Sequence, residues 1–209
     1  MILVTGTGRC GTSLMMQTLH YLGIPTIGDP WDEDSGLDGD EQDLIQFADR
    51  ISELNPKGYW EKPLDDIVLL CQEGLGHYKG KAMKICCGLT QEINADDIEK
   101  MIICNREDKL AQATSMLKLG TLGLEMQAYN KEKEGNFGWY KDKDVYDVLL
   151  EQEMWTIIIN NLSSDYNIPT IDICFEDMLN DPEGEIKSLV RFLDIDVDIT
   201  EAVNNVDKR

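Results

Sequence analysis

The stretch Ile2-Leu3-Val4-Thr5-Gly6-Thr7-Gly8-Arg9-Cys10-Gly11-Thr12-Ser13 decides the fold. Its first four residues form a short, mostly apolar run without alternation, as in a strand covered on both faces. Glycines at 6, 8 and 11 follow, and Leu14, Leu19 and Leu22 then mark one face of a helix. A strand, a glycine loop and a helix in that order bring backbone N–H groups and the positive end of the helix dipole together, which suits an anion. Gly6, Gly11 and Ser13 reproduce the spacing G-x-x-x-x-G-K-[ST], but Thr12 stands at the lysine position and the loop carries Arg9 instead. The strand before and the helix after favour phosphate binding by Thr7, Gly8, Arg9, Cys10, Gly11, Thr12 and Ser13 over a turn that only starts a helix.

Further apolar runs at Ala82–Cys87, Met101–Cys104 and Thr170–Cys174 read as strands of the same kind. Between them lie helical patterns: one from Leu110 to Leu117, and a longer one over 145–162 with Val145, Val148, Leu149, Trp155, Ile158, Ile159 and Leu162 on one stripe. A last helix begins where Asp181 can cap and Pro182 suits the first turn, followed by Leu189, Val190, Phe192 and Leu193. Strands alternating with helices predict an α/β fold, a parallel sheet flanked by helices with right-handed crossovers, in one domain over 1–209. The segment 130–143 reads as a polar connector.

The chain has 209 residues, of which 19 are Lys or Arg and 40 are Asp or Glu, a formal net charge of −21. That balance disfavours a nucleic-acid polymer or an anionic membrane as partner, since either needs a basic surface. With 42% apolar residues the chain is not an acidic disordered tail. The start has no basic segment leading into an apolar run, and no stretch reaches the roughly 18–20 apolar residues of a membrane span. Cys10, Cys71, Cys86, Cys87, Cys104 and Cys174 contain no C-x-x-C pair, and four of them lie in or beside apolar runs. Together these features predict a cytoplasmic protein with reduced thiols.

In nucleoside-triphosphate enzymes the loop lysine reaches the outer phosphates and a strand-end aspartate helps to hold magnesium. Here Thr12 replaces the lysine, and the strand Met101–Cys104 runs into Asn105-Arg106. A site with arginines in those places neutralises its anion without metal, which points away from ATP chemistry. Lys84, inside an apolar run, is either a solvated strand-end lysine or a cation directed at the loop.

At this point the sequence resembles the sulfotransferase family, which uses 3′-phosphoadenosine 5′-phosphosulfate on a P-loop-type α/β fold. The family's 5′-phosphosulfate loop reads P-[KR]-x-G-[ST]-[ST]; here it is Gly8-Arg9-Cys10-Gly11-Thr12-Ser13, with glycine in place of proline. Its 3′-phosphate motif is a strand ending in arginine with a serine about eight residues on. Arg106 is followed at that spacing by Thr114 and then Ser115, and the sequence leaves the choice of hydroxyl open. Asn55-Pro56-Lys57-Gly58-Tyr59-Trp60-Glu61 resembles the N-P-x-G-[YF]-[WF]-E segment of bacterial members. Phe175-Glu176-Asp177-Met178, Asp181-Pro182-Glu183 and Phe192-Leu193 resemble the family's YEDL, DPE and FLG ending. The basic R-K-G segment of cytosolic animal members has no counterpart.

The resemblance implies sulfuryl transfer to a hydroxyl of a small molecule or carbohydrate, without metal. Arg9 and the loop N–H groups would stabilise charge on the leaving phosphate oxygen. Arg106, with Thr114 or Ser115, would hold the 3′-phosphate, because a guanidinium can engage two phosphate oxygens. Related enzymes use a histidine or glutamate as base. His20 reads as a packed residue of the first helix and His77 as a surface residue of a glycine-rich turn. Glu61 follows Tyr59 and Trp60, which would partly desolvate it and raise its pKa toward a useful range; otherwise it is a loop carboxylate paired with Lys57 or Lys62. A P-loop kinase and a catalytically silent nucleotide-binding protein are the competing classes.

Asp29, Asp32, Glu33, Asp34, Asp38, Asp40, Glu41 and Asp43 lie together without one Lys or Arg between them. A calcium loop starting at Asp34 has Gly39 correctly at position six, but Gly36 at position three and Ile45 at position twelve break the pattern. The segment reads as a solvated loop, or as a lid that disfavours anionic acceptors.

Overall fold

The strand β1 (Ile2–Gly6) sends Ile2 and Val4 into one apolar core and Leu3 into another, which is why its sequence shows no alternation. Strand β4 (Lys100–Asn105) divides in the same way, Ile102 and Cys104 to the first core, Met101 and Ile103 to the second. The computed structural model describes residues 1–27, 64–85, 87, 90, 93–129 and 142–207. Within them β2 (Thr26–Ile27), β3 (Ala82–Lys84) and β5 (Thr170–Cys174) complete one sheet in the order β2-β3-β1-β4-β5. All four neighbouring pairs are parallel.

The described helices are α1 (Thr12–Tyr21), α2 (Leu64–Glu73), α3 (Lys109–Tyr129), α4 (Val145–Asp165), α5 (Phe175–Asn180), α6 (Pro182–Leu193) and α7 (Thr200–Asp207). The first core is filled by Leu14, Met15, Met16 and Leu19 of α1, Met178 of α5, Ile186, Leu189 and Leu193 of α6, and Ala202 and Val206 of α7. The second takes Cys71 of α2 and Ile159 of α4. Helices on both faces of a parallel sheet are the α/β architecture that the sequence predicts.

Several boundaries differ from the sequence reading. Strand β3 ends at Lys84, not Cys87: its register with β1 stops at Val4↔Lys84, the Ile85 N–H makes a last bond to the Val4 carbonyl at 3.0 Å, and β1 runs on to Gly6 paired with β4 alone. Ile85 stays fully buried, so the run is apolar past the point where it pairs. The helix at Leu110–Leu117 extends over all of α3. Asp181 caps α6 as read, its Oδ1 accepting from the Gly184 N–H at 3.0 Å. It does not start the last helix, because α7 follows with only Ala202 and Val206 as fully buried apolar anchors. Helix α4 starts on an Asp144–Asp147 capping box and buries Val148 and Ile159 of the predicted stripe. Cys10, Cys71, Cys87, Cys104 and Cys174 are free thiols. Among the described residues no helix is long and apolar enough to cross a membrane.

Candidate phosphate-binding site

Because the chain first builds β2 and β3 on one side of β1 and then β4 and β5 on the other, the strand order reverses at β1. Ligands of open parallel sheets bind at such a point, beyond the carboxyl ends of the strands. The loop between β1 and α1 occupies it. Gly8 has φ 21°, Arg9 φ 58° and Gly11 φ 95°, all in the left-handed region. A Cβ on Gly11 would come within 2.8 Å of Phe175 Cδ2, and one on Gly8 within 2.6 Å of Met116 Sδ. Arg9 is the non-glycine of this set, so the surrounding contacts must hold its backbone in place. Gly11 is the N-cap of α1 and supplies no side-chain cap, and the first turn of α1 has no acidic residue. Among the described residues no side chain caps the positive end of this helix, a geometry that suits an anion.

Two cations reach the loop from other segments, Lys84 of β3 and Arg106 after β4, beside the loop's own Arg9. Arg9 Nε donates to Ser115 Oγ of α3 at 3.0 Å. Lys84 Nζ donates to Ser13 Oγ at 3.0 Å, and Lys84 is only 5% exposed. Arg106 Nη1 approaches the Arg9 carbonyl at 3.5 Å, and its guanidinium lies over the Phe175 ring, 5.3 Å from the centroid. Arg106 Nε faces Glu176 Oε1 at 3.4 Å and makes no hydrogen bond among the described residues.

The predicted residues thus separate by role. Ser115 turns to Arg9, whereas the Thr114 hydroxyl donates to the Leu110 carbonyl of its own helix at 2.7 Å. Thr7 is buried, with its carbonyl and hydroxyl both on the Gln112 amide. Cys10 offers the loop its backbone only: its thiol points into the core and burial pushes its pKa up to about 11. Thr12 is the first residue of α1. Glu61, the Asn55–Glu61 segment and the acidic stretch 29–43 lie outside the described residues, as does most of 130–143. His20 is exposed near the far end of α1, and the exposed His77 sits in a short turn that precedes β3, at the opposite end of the sheet.

Sequence reasoning missed Gln112, and gave Phe175 and Glu176 no role in the site. A lone glutamine in a helix has no pattern to flag it. Phe175 fills the space that Gly11 leaves and supports Arg106. Burial raises the Glu176 carboxyl, but the Glu107 N–H, the Cys174 thiol and the Asp108 N–H together hold it below the usual carboxylate range. Lys84, weighed as a solvated strand end, is the buried cation of the site; what decides it is the parallel register Val4↔Lys84, which sets it beside β1 just before the loop.

No protein-family model matches the sequence, and no curated protein matches it. Among solved structures, the chain is similar to the sulfotransferase domain from the Synechococcus PCC 7002 olefin synthase, at 16% identity and a TM-score of 0.42, over 99% of this chain and 76% of that one.

Proposed function

We propose that the chain, as one 1–209 unit, is a sulfotransferase that uses 3′-phosphoadenosine 5′-phosphosulfate and a small-molecule or carbohydrate hydroxyl as acceptor. The observation that carries this reading is the convergence of Arg9, Lys84 and Arg106 on a glycine loop whose lysine position is held by Thr12. The donor set fits a nucleotide with two separate anionic groups. The loop N–H groups, Arg9, Lys84 and Ser13 would take the 5′ end, and Arg106 with Ser115 the 3′-phosphate. Strand β4 leads into Arg106, where a magnesium-dependent nucleotide enzyme would carry a carboxylate.

When bound, the donor supplies a sulfuryl group attached to a phosphate oxygen. Arg9 and Lys84, oriented by Ser115 and Ser13, would stabilise the negative charge that develops on that oxygen. Burial of Lys84 strengthens its field, because less water screens it. Glu61, with Tyr59 and Trp60 before it, is the proposed acceptor of the hydroxyl proton.

Calorimetry with 3′-phosphoadenosine 5′-phosphate, compared with ATP plus magnesium, tests the reading. The desulfo nucleotide is expected to bind without magnesium, and Lys84→Met to weaken it by about 10–100-fold, as for loss of one charge-assisted bond. Binding of the magnesium nucleotide alone would favour a kinase and end the sulfotransferase reading. Full sulfuryl transfer by Glu61→Gln would remove Glu61 as base.

A further inference from the structure

We infer that Gln112 is a positioning residue that sets the conformation of the phosphate loop, which rests on the phosphate-binding reading of that loop. Gln112 is fully buried on α3. The two N–H groups of its Nε2 serve the Thr7 carbonyl and the Gly8 carbonyl, the latter at 2.7 Å, and Thr7 Oγ1 lies beside the same nitrogen at 3.0 Å. The carbonyls can only accept, so the amide must present its nitrogen to the loop. Lys109 Nζ can only donate, and it lies 3.4 Å from Gln112 Oε1 on the other side. The two neighbours therefore fix the amide orientation between them.

The consequence for the loop follows from peptide planarity. In a trans peptide the C=O and the next N–H point in opposite directions. Holding the Gly8 carbonyl on Gln112 thus turns the Arg9 N–H away from α3. The Gly8 N–H is used within the turn, to the Gly6 carbonyl at 3.2 Å. Gln112, Ser115 and Met116 share one face of α3, at the i, i+3 and i+4 positions. Ser115 takes the Arg9 side chain and Met116 fills the space beside Gly8. One helix face thereby grips both the backbone and the cation of the loop, at the residues whose φ values are left-handed. Without the amide, two carbonyls lose their buried donor and the loop loses what keeps these φ values populated.

The experiment is hydrogen exchange on the ligand-free chain, in the wild type and in Gln112→Met, which keeps the volume and removes the amide. Peptides covering Thr7–Gly11 should exchange about tenfold faster or more in the variant, with β1 and α1 at wild-type rates. Affinity for adenosine 5′-monophosphate should fall about tenfold, while that for adenosine 3′-monophosphate, held through Arg106, stays within about twofold. Unchanged loop exchange overturns the inference, as does equal acceleration across the whole fold or equal loss of both nucleotides, each of which marks a purely structural residue. If Gln112→Met does not fold, Gln112→Asn is read by the same measures, since it keeps the amide but draws it back by one methylene. A wild type that binds neither nucleotide defeats the functional reading; the exchange rates of the loop then decide on Gln112 alone.

Discussion

Two strand-to-helix junctions lie side by side at the carboxyl end of the sheet, one after β1 and one after β4, and they treat the helix N-terminus in opposite ways. The first leaves the start of α1 without a side-chain cap and without an acidic residue. The second is satisfied by the chain's own carboxylates: Asp108 Oδ1 accepts from the Ala111 N–H at 2.8 Å, and Glu176 accepts from the N–H groups of Glu107 and Asp108 at 2.9 and 3.4 Å. The same topology thus yields one junction that is open, with no side-chain cap among the described residues, and one that is already filled. At the filled junction the Arg106 side chain lies between Glu176 and the Arg9 carbonyl. A helix terminus becomes a binding site when nothing in the chain competes for it.

The largest test of this contrast is Gly11→Ala. The new Cβ meets Phe175 at a φ of 95°, so stability should drop by about 2–3 kcal/mol in denaturant titration. A neutral outcome would mean that the open junction has no special backbone. Asp108→Ala should cost about 1 kcal/mol, as for the loss of a helix cap, and leave anion binding at the first junction unchanged. A loss of 5′-phosphate affinity in that variant would merge the two junctions into one site. The smallest effect concerns pH. The Glu176 carboxyl is held below its ordinary value of 4.5, so its share of stability is complete above that value and is lost as pH falls through the lower folded value. Glu176→Gln should flatten the acid limb of the stability curve; an unchanged limb would show that Glu176 does not hold the filled junction.

Much of the first junction was legible because its chemistry is local. Strand, glycine spacing, Arg9 and helix are contiguous, and the glycines stand where the backbone must adopt positive φ or accept a close neighbour. The cap of α6 was legible for the same reason, since Asp181 lies three residues from the N–H it bonds. The end of β3 was not, because Ile85 stays apolar through burial although the strand ends at Lys84. The choice between Thr114 and Ser115 also escaped the sequence, as the two adjacent positions on α3 face different neighbours.

By itself the sequence determined an α/β chain with a glycine loop after its first strand, and an acidic balance of 40 Asp or Glu against 19 Lys or Arg. The tertiary structure alone decided which positions gather at that loop. Lys84 arrives through the register of a parallel strand, and Ser115 and Gln112 come from a helix about a hundred residues away in the chain. Glu176 settles the second junction from the far side of β5. Such pairings depend on sheet order and helix facing, and neither leaves a trace in local composition.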